Sequence, residues 1–318
     1  MNVDHSGEIA VVPGYRRGLH VVSLLTVCAL LPLMLVGAGV TSKGAGMAFP
    51  DWPTSNSHLL NPPGWLEEEA KFWEHGHRLI GWVVGMLAIV LAVSLWKARG
   101  IRRTMGLVVL GAIIVQGVLG GLRVTEVSTS LAVVHGVWAQ VCFCLACVVV
   151  MLTSESWLTS AGALTARGTM FFRRGCVAAS IVVFVQLVSG AVFRHFRWQG
   201  ALAAHFLWAV VTILIASWLA MWVLEQYGRH PLLERLGKWM AGLIGTQMLL
   251  GGVAFLVTVM GGQWPGLLRW AVPSLHVLVG ALMLSCTLMI TLCAWHVLCP
   301  ADGVEVGVLP NAATVMAI

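Results

Sequence analysis

Eight long runs of apolar residues, separated by short polar stretches, divide the chain. Each run is close to the roughly 20 residues that cross a bilayer as a helix. The runs lack the strict alternation of a membrane β-strand, so the pattern predicts an all-α integral membrane protein. The eight predicted transmembrane helices cover residues 19–40, 76–96, 105–123, 131–152, 175–194, 201–224, 238–260 and 272–298.

The runs also repeat in pairs. In three odd-numbered runs a glutamine is followed four positions later by a glycine, and Gly37 with Gly39 forms a looser first copy; the three pairs are Gln116/Gly120, Gln186/Gly190 and Gln247/Gly251. Each even-numbered run has a histidine in its first turns. The repeating unit is therefore a helical hairpin, and two hairpins make a four-helix bundle. We predict two pseudo-symmetric four-helix bundles: an N-terminal half (1–152), a cytoplasmic linker (153–174) and a C-terminal half (175–318).

Composition and charge support this class and orient the chain. Charged residues make up 10% of the sequence and hydrophobic residues 58%, whereas a soluble domain carries about 25% charged residues. Twelve of the 19 basic residues fall on one side of the predicted membrane: Arg16, Arg17, Lys97, Arg99, Arg102, Arg103, Arg167, Arg173, Arg174, Arg229, Arg235 and Lys238. The positive-inside rule then predicts a multi-pass protein of the cell (inner) membrane with both termini in the cytoplasm. Residues 1–18 are polar, which disfavours a cleaved signal peptide, and the net charge of +6 reflects topology rather than a nucleic-acid partner.

Four of the 11 histidines share one position in the repeat, and the residue four places after each is small: His77 with Gly81, His135 with Ala139, His205 with Ala209 and His276 with Gly280. Residues four apart lie on one helical face, so each imidazole has open space beside it. Ionisable side chains inside a membrane are costly and usually functional. A single such histidine suits packing or proton relay, but four in matched register predict ligands of two flat metal cofactors. Haem is favoured over zinc because each half offers two histidines and no adjoining cysteine or carboxylate set.

The other histidines and the eight cysteines are assigned to structure. His75 and His77 lie about 200° apart on a helix, so both cannot face one cofactor, and only His77 has a small residue at the fourth following position. We expect interface or surface roles for His75, His195, His5, His20, His58, His230 and His296. The cysteines lie within predicted spans or at their inner ends, and we expect Cys142, Cys144 and Cys147 to pack in the core.

The two halves differ around one histidine. Glu74 precedes His77 by three residues, and the equivalent residues before the other three histidines are Ala132, Leu202 and Pro273. A carboxylate at the outer mouth suits proton transfer or stabilisation of a cationic intermediate, and it equally suits capping of the second span. The first half also has a long outer loop, 41–73, whose Pro and Trp content predicts a structured lid. Arg78, Arg123, Arg194, Arg197 and Arg269 suit either pairing with haem propionates or anchoring at the interface.

Three segments give the chain a family resemblance. At EHGHRLIG (Glu74 to Gly81), PDWP (Pro50 to Pro53) and VTSKGAG (Val40 to Gly46) it resembles the heme A synthase family. The resemblance implies an oxidoreductase that converts heme O to heme A for terminal oxidases. It implies two successive hydroxylations of one porphyrin methyl group, followed by loss of water to leave a formyl group.

The resemblance also implies roles for the four histidines and for Glu74. His205 and His276 match the ligands of a resident haem b, His77 and His135 match the ligands of the substrate haem, and Glu74 matches the family's essential carboxylate. Many members carry a cysteine pair in the first outer loop, but AFPDWPTSN has none. We therefore expect a subgroup without that pair, in which any thiol-dependent step at this loop is unavailable.

The main alternative is a dihaem b-type membrane cytochrome that transfers electrons from quinol. Two fixed haems fit the four histidines, but such a carrier needs neither Glu74 nor a lid. A transporter would have broken helices near the membrane midplane, which the outer position of the histidines disfavours. The expected partners of a synthase are heme O, membrane lipid, an electron donor and a heme O synthase that hands over the apolar substrate. Glycine-rich helix faces would allow a homo-oligomer, while the electron donor and the source of the formyl oxygen are not legible from residue types.

Overall fold

The computed structural model describes residues 12–301, so His5 and the two terminal stretches lie outside the described residues. The chain forms nine helices and two short strands in this range: α1 (Arg17–Ser42), α2 (Glu69–Leu95), α3 (Ile101–Thr125), α4 (Thr129–Leu152), α5 (Glu155–Leu158), β1 (Leu164–Ala166), α6 (Thr169–Phe196), α7 (Gln199–Tyr227), α8 (Pro231–Thr258), α9 (Gly266–His296) and β2 (Leu298–Pro300).

Eight of these helices, all except α5, are long and apolar enough to cross a membrane. The prediction of eight helical spans is therefore confirmed. Helical structure is what such runs must adopt, because a backbone in hydrocarbon has no water to satisfy its N–H and C=O groups. The helices extend beyond the predicted spans. For example, α2 begins at Glu69, seven residues earlier than expected, so the end of the predicted outer loop belongs to α2.

The spanning helices contact one another in two rings. In the first half α1 contacts α2 and α4, and α3 contacts the same two helices; in the second half α6 and α8 each contact α7 and α9. The rings join through contacts of α9 with α1 and α4, and of α4 with α6. Consequently α4 and α9 bury the largest share of their residues. The exact symmetry of the halves and the three-part division of the chain stay predictions.

The segment between the halves is more ordered than a linker. It contains α5 and β1, and β1 pairs in parallel with β2, with Leu164 opposite Leu298. His296 stacks on Trp157 with ring centroids 3.7 Å apart, and Arg173 donates to the carbonyl of Leu298 at 2.8 Å. These contacts tie the start of the second half to the end of α9. The strand pair was not predicted, because three-residue strands leave almost no sequence pattern.

The cysteines pack as expected. Cys142, Cys144 and Cys147 are buried and belong to the apolar interior around α4. The Cys142 thiol donates to the carbonyl of Ala112 at 3.3 Å, and Ser285 donates to the Cys144 sulfur at 3.2 Å. Within residues 12–301, no three His, Cys, Asp or Glu side chains form a group able to hold a metal ion.

Candidate functional site

The four repeated histidines meet in two pairs, one in each half. The ring centroids of His77 on α2 and His135 on α4 are 6.5 Å apart, with the rings at 83°. Those of His205 on α7 and His276 on α9 are 6.3 Å apart, with the rings at 84°. Both pairs lie at the end of the bundle where α1 and α3 end and α2 and α4 begin, called the outer end after its predicted orientation.

Each imidazole packs against a glycine of the preceding helix, with its Cε1 atom nearest. A Cβ added to Gly37 would lie 2.7 Å from Cε1 of His77, and one at Gly190 would lie 2.8 Å from Cε1 of His205. Gly120 and Gly251 contact His135 and His276 in the same way: an added Cβ would lie 3.0 Å from Cε1 of the histidine in both cases. The glycine repeat therefore exists because a side chain at these positions would displace a histidine ring.

Glutamine side chains contact three of the four histidines. In each contact the glutamine Nε2 lies close to the histidine Nε2. The distance is 3.3 Å for Gln116 and His135, 3.4 Å for Gln186 and His205, and 3.5 Å for Gln247 and His276. An amide nitrogen can only donate, so the imidazole Nε2 is the acceptor in these contacts. Nδ1 of His205 donates to the carbonyl of Gln186 at 3.2 Å.

The pairs fit a planar metal cofactor. Imidazole–metal bonds are about 2 Å long, so two imidazoles on opposite sides of one metal atom hold their centroids roughly 6 Å apart. Both pairs meet that spacing. Nδ1 of His77, His135 and His276 is buried without a hydrogen-bond partner among the described residues. Two ligands per site match a cofactor that brings its own equatorial donors, as haem does.

Glu74 is engaged with the outer segment (residues 43–68), not with the start of its own helix. One carboxylate oxygen accepts from the backbone N–H of Ala48 at 2.5 Å and of Phe49 at 3.3 Å. The other pairs with Arg78 at 2.5 Å. Glu74 lies in the second turn of α2, whose N-cap is Glu68. The capping role considered from the sequence is therefore wrong, and the carboxylate instead fixes a loop.

His75, the next residue on α2, fixes the same segment. Its side chain is buried, with 1% of its area exposed, so of the interface and surface roles expected from the sequence it has the interface role. Nδ1 lies 2.9 Å from Oγ of Ser55 and Nε2 lies 3.0 Å from the carbonyl of Leu60. The ring also packs edge-on against Trp65 at 4.9 Å. Sequence reasoning separated His75 from His77 correctly but missed that His75 anchors the loop.

The outer segment is held together by its own turns. Asp51 accepts from the Thr54 hydroxyl at 2.5 Å and from the backbone N–H groups of Asn56 and Ser57 at 2.7 and 2.8 Å. Although burial alone would raise it, these hydrogen bonds lower the pKa of Asp51 to about 2. Phe49 is fully buried, and Trp52 packs against Gly121 at the outer end of α3. The predicted structured lid thus reaches from α2 to α3 in the first half.

Up to residue 301, where the described part of the chain ends, the second half has no comparable cover. Its outer connections are residues 197–198 between α6 and α7 and residues 259–265 between α8 and α9. The asymmetry predicted from the sequence is therefore present in the structure. One histidine pair lies in the half that carries an anchored segment of 26 residues, and the other lies in a half with short connections.

The outer arginines have different partners. Arg78 donates to Glu74 and to the carbonyls of Asp51 and Thr54. Arg194 donates to the carbonyl of Ala38 and to Ser42, both at 2.7 Å, so it joins the halves. The Arg123 guanidinium lies against Gly46 of the outer segment and makes no hydrogen bond or ion pair within residues 12–301. Among the five candidates, Arg197 lies over the ring of Phe193, and Arg269 is in the first turn of α9.

Other contacts at the outer end were not predicted. Trp73 of α2 packs edge-on against Trp270 of α9 at 4.8 Å, and Lys43 lies over both rings. Lys43 also pairs with Glu69. His195 at the end of α6 approaches Gly136 of α4, which agrees with the interface role expected for it. The regular Gln–Gly spacing was a visible signal for the glutamine contacts, but these tryptophans had none.

Comparison with known proteins places this arrangement in a family. Residues 20–202, more than half of the chain, match a family described as cytochrome oxidase assembly protein. Heme A synthase from Geobacillus kaustophilus is 27% identical over 187 residues, which are 57% of this chain and 57% of that protein. Heme A synthase from Bacillus licheniformis is 28% identical over 187 residues, 57% of this chain and 60% of that protein.

A heme A synthase from Methylobacterium radiotolerans is 28% identical over 133 residues, 34% of each chain. The chain thus spans less than two thirds of the length of the curated relatives it matches. The family match contains Glu74, His77 and His135 and ends before His205 and His276.

Proposed function

Since the chain belongs to the cytochrome oxidase assembly protein family, we propose that it is a heme A synthase, a membrane oxidoreductase that oxidises one methyl group of heme O to a formyl group. One observation carries this proposal. Two histidine pairs have nearly the same spacing, 6.5 and 6.3 Å, but only one lies in the half with an anchored outer segment and a buried carboxylate. An enzyme that converts one haem and keeps another as a cofactor needs two haem sites that differ in this way.

The second half is the resident site. His205 and His276 would hold a haem b between α7 and α9, and Gly190 and Gly251 support their rings. The short connections of this half provide no element that would open for exchange. When bound there, haem b supplies a one-electron centre close to the substrate half.

The first half receives heme O. His77 and His135 would bind the iron of this substrate, and the outer segment excludes water from the outer mouth. Oxidation of a methyl to a formyl group removes four electrons and, with water as the formal oxygen source, releases four protons. Glu74 is the carboxylate nearest in sequence to this pair, and we assign it to proton transfer as well as to holding the loop amides of Ala48 and Phe49.

Arg123 is our candidate for the substrate propionates. Arg78 and Arg194 already donate hydrogen bonds to partners within the protein, whereas Arg123 has no hydrogen-bond or ion-pair partner among the described residues. It approaches the outer segment at Gly46, in the same half as His77 and His135. A guanidinium can bind a carboxylate with two parallel hydrogen bonds, so it would fix the orientation of the porphyrin.

The remaining proposals follow from the membrane architecture. We place the protein in the cell (inner) membrane with both termini in the cytoplasm, because the basic residues are concentrated on one side of the predicted membrane. Heme O is too apolar to cross water freely, so a direct transfer from a heme O synthase is expected. If dioxygen supplies the oxygen atom, an electron donor must provide the electrons that reduce its second atom to water; if water supplies it, the four electrons removed pass to an electron acceptor. Self-association through glycine-rich helix faces completes the proposed partners.

The proposal is tested by chromatography of haems extracted from cells that express the chain with or without a heme O synthase. Heme A or a hydroxylated intermediate that appears only with both proteins supports it. Two haem b molecules per chain, found with or without the heme O synthase, would instead support the dihaem cytochrome. The similar spacing of the two histidine pairs is the observation that favours this alternative.

Single variants then separate the two halves. His276→Ala should remove the resident low-spin haem b spectrum. His77→Ala should reduce conversion of heme O and leave that spectrum in place. His58→Ala is the matched control and should leave both readouts unchanged. Among the described residues, the side chain of this exposed histidine hydrogen-bonds only to the Asn56 carbonyl in its own turn. Loss of both signals in His77→Ala would contradict the division of roles.

A further inference from the structure

The fourth histidine lacks the glutamine that the other three have. Counting back four residues from the supporting glycine gives Gln116, Gln186 and Gln247 in three cases and Leu33 in the case of Gly37. A leucine side chain has no N–H group, so it cannot donate to the imidazole. His77 therefore differs from His135, His205 and His276 at Nε2, the atom through which the pairs would bind iron.

The free space beside His77 is also larger than the free space beside His276. A Cβ added to Gly280, four residues after His276, would lie 3.3 Å from the amide Nε2 of Gln247. The glutamine therefore fills the gap beside that imidazole. At Gly81, four residues after His77, no atom lies within 4 Å of such a Cβ. The predicted open patch therefore persists beside His77, whereas Gln247 fills it beside His276.

We infer that His77 is the ligand that first captures the incoming haem, and that Gln116, Gln186 and Gln247 cap the other three imidazoles until they are displaced. A cap hydrogen-bonded to Nε2 competes with iron for the same lone pair. The fraction of imidazole free to bind falls accordingly, and so does the apparent capture rate. His77 is free, so the bond to His135 forms second, after Gln116 moves. On release the order reverses.

The consequence is a difference in exchange between the halves. Both ligands of the second half are capped, so a haem is captured there more slowly than in the first half. The first half has one capped and one free ligand, which suits a haem that enters and leaves in each turnover. This inference rests on the proposed function only in taking His77 and His135 as a haem site.

The test measures haem capture by the purified full-length chain in detergent. The second half is loaded in advance, and haem b is then added as the probe while absorbance is followed by stopped flow. Leu33→Gln adds the missing cap and should slow the first capture phase roughly fivefold, the reduction that one ordinary hydrogen bond gives. Leu33→Met, of similar size but without a donor, is the matched control and should capture at the native rate.

A second variant keeps the inference testable if Leu33→Gln fails to fold. Gln116→Leu removes the cap on His135 and should speed the later conversion to the low-spin form. Both imidazoles are then free, so the first phase should be no slower than in the native chain. Capture by Leu33→Gln at the native rate, or an unchanged second phase in Gln116→Leu, would overturn the inference. Capture in the predicted order without any heme A formation would contradict the proposed function alone. Failure of the native first half to take up haem would contradict both.

Discussion

Glu74 and Arg78 form a buried ion pair one turn apart on α2, with Oε1 and Nη2 separated by 2.5 Å and with 6% and 10% of their side-chain areas exposed. Both residues use their remaining hydrogen-bonding capacity on the outer segment, Glu74 on two backbone N–H groups and Arg78 on two carbonyls. Removing one partner would leave the other buried without compensation. The pair therefore couples the position of the outer segment to a carboxylate beside the first-half site.

Glu74→Gln should leave haem content near normal and lower the conversion of heme O by about a hundredfold or more, the usual effect of losing a proton-transferring group. The amide keeps the size of the side chain and one acceptor for the loop, but it carries no charge. Chromatography of extracted haems measures the conversion. Normal activity in this variant would show that the carboxylate only positions the segment.

A loop-anchoring control separates the two roles of Glu74. Ser55→Ala removes the hydroxyl that contacts His75 at 2.9 Å and leaves Glu74 intact. Limited proteolysis of the outer segment should increase in Ser55→Ala, with conversion reduced far less than in Glu74→Gln. Equal losses of conversion in the two variants would mean that loop order, not the carboxylate, limits the reaction.

The glycines beneath the histidines predict half-specific defects. Gly190→Ala places a Cβ 2.8 Å from His205 and should shift or remove the resident haem spectrum, whereas Gly37→Ala, at 2.7 Å from His77, should impair conversion alone. Gly111→Ala on α3 is the matched control, because a Cβ there meets no atom within 4 Å and alanine favours the helix. Visible absorbance and haem chromatography measure the two effects.

Arg123 predicts a dependence on the propionates. Arg123→Gln should weaken binding of haem to the first half by roughly 10- to 100-fold, the range for a lost hydrogen bond between charged groups. The same variant should bind the dimethyl ester of haem as well as the native chain does, because the ester has no charge to pair. A loss of affinity for both forms would assign Arg123 to packing.

Asp51 predicts an acid-sensitive outer segment. Its folded-state pKa of about 2 lies below the ordinary 3.8, so the carboxylate stabilises the turn above about pH 4 and this stabilisation is lost as the pH falls through 2. Cleavage of the segment by pepsin, compared between native chain and Asp51→Asn, measures this. The native chain should be the more resistant at pH 4, and the difference should shrink by pH 2, whereas a constant ratio would contradict the role of Asp51.

Much of the architecture follows from the sequence because it depends on features local to each helix. Apolar runs of bilayer length must become helices, since no other form satisfies the backbone in hydrocarbon. The register of the four histidines and the spacing of Gln and Gly follow from the helical period, which fixes the face on which a residue lies. The asymmetry between the halves could also be predicted, because a long loop and a single carboxylate are visible in the sequence itself.

Contacts between segments distant in the chain were decided by the tertiary structure alone. The sequence left Glu74 between capping and chemistry, and only the path of residues 43–68 brought the amides of Ala48 and Phe49 to its carboxylate. Likewise, the sequence does not distinguish Arg78 from Arg123, since both lie at the outer end. In the structure Arg78 donates hydrogen bonds to the outer segment, whereas Arg123 makes none within residues 12–301. A helical period sets which face a side chain occupies, whereas its partner depends on how the loops and neighbouring helices pack against that face.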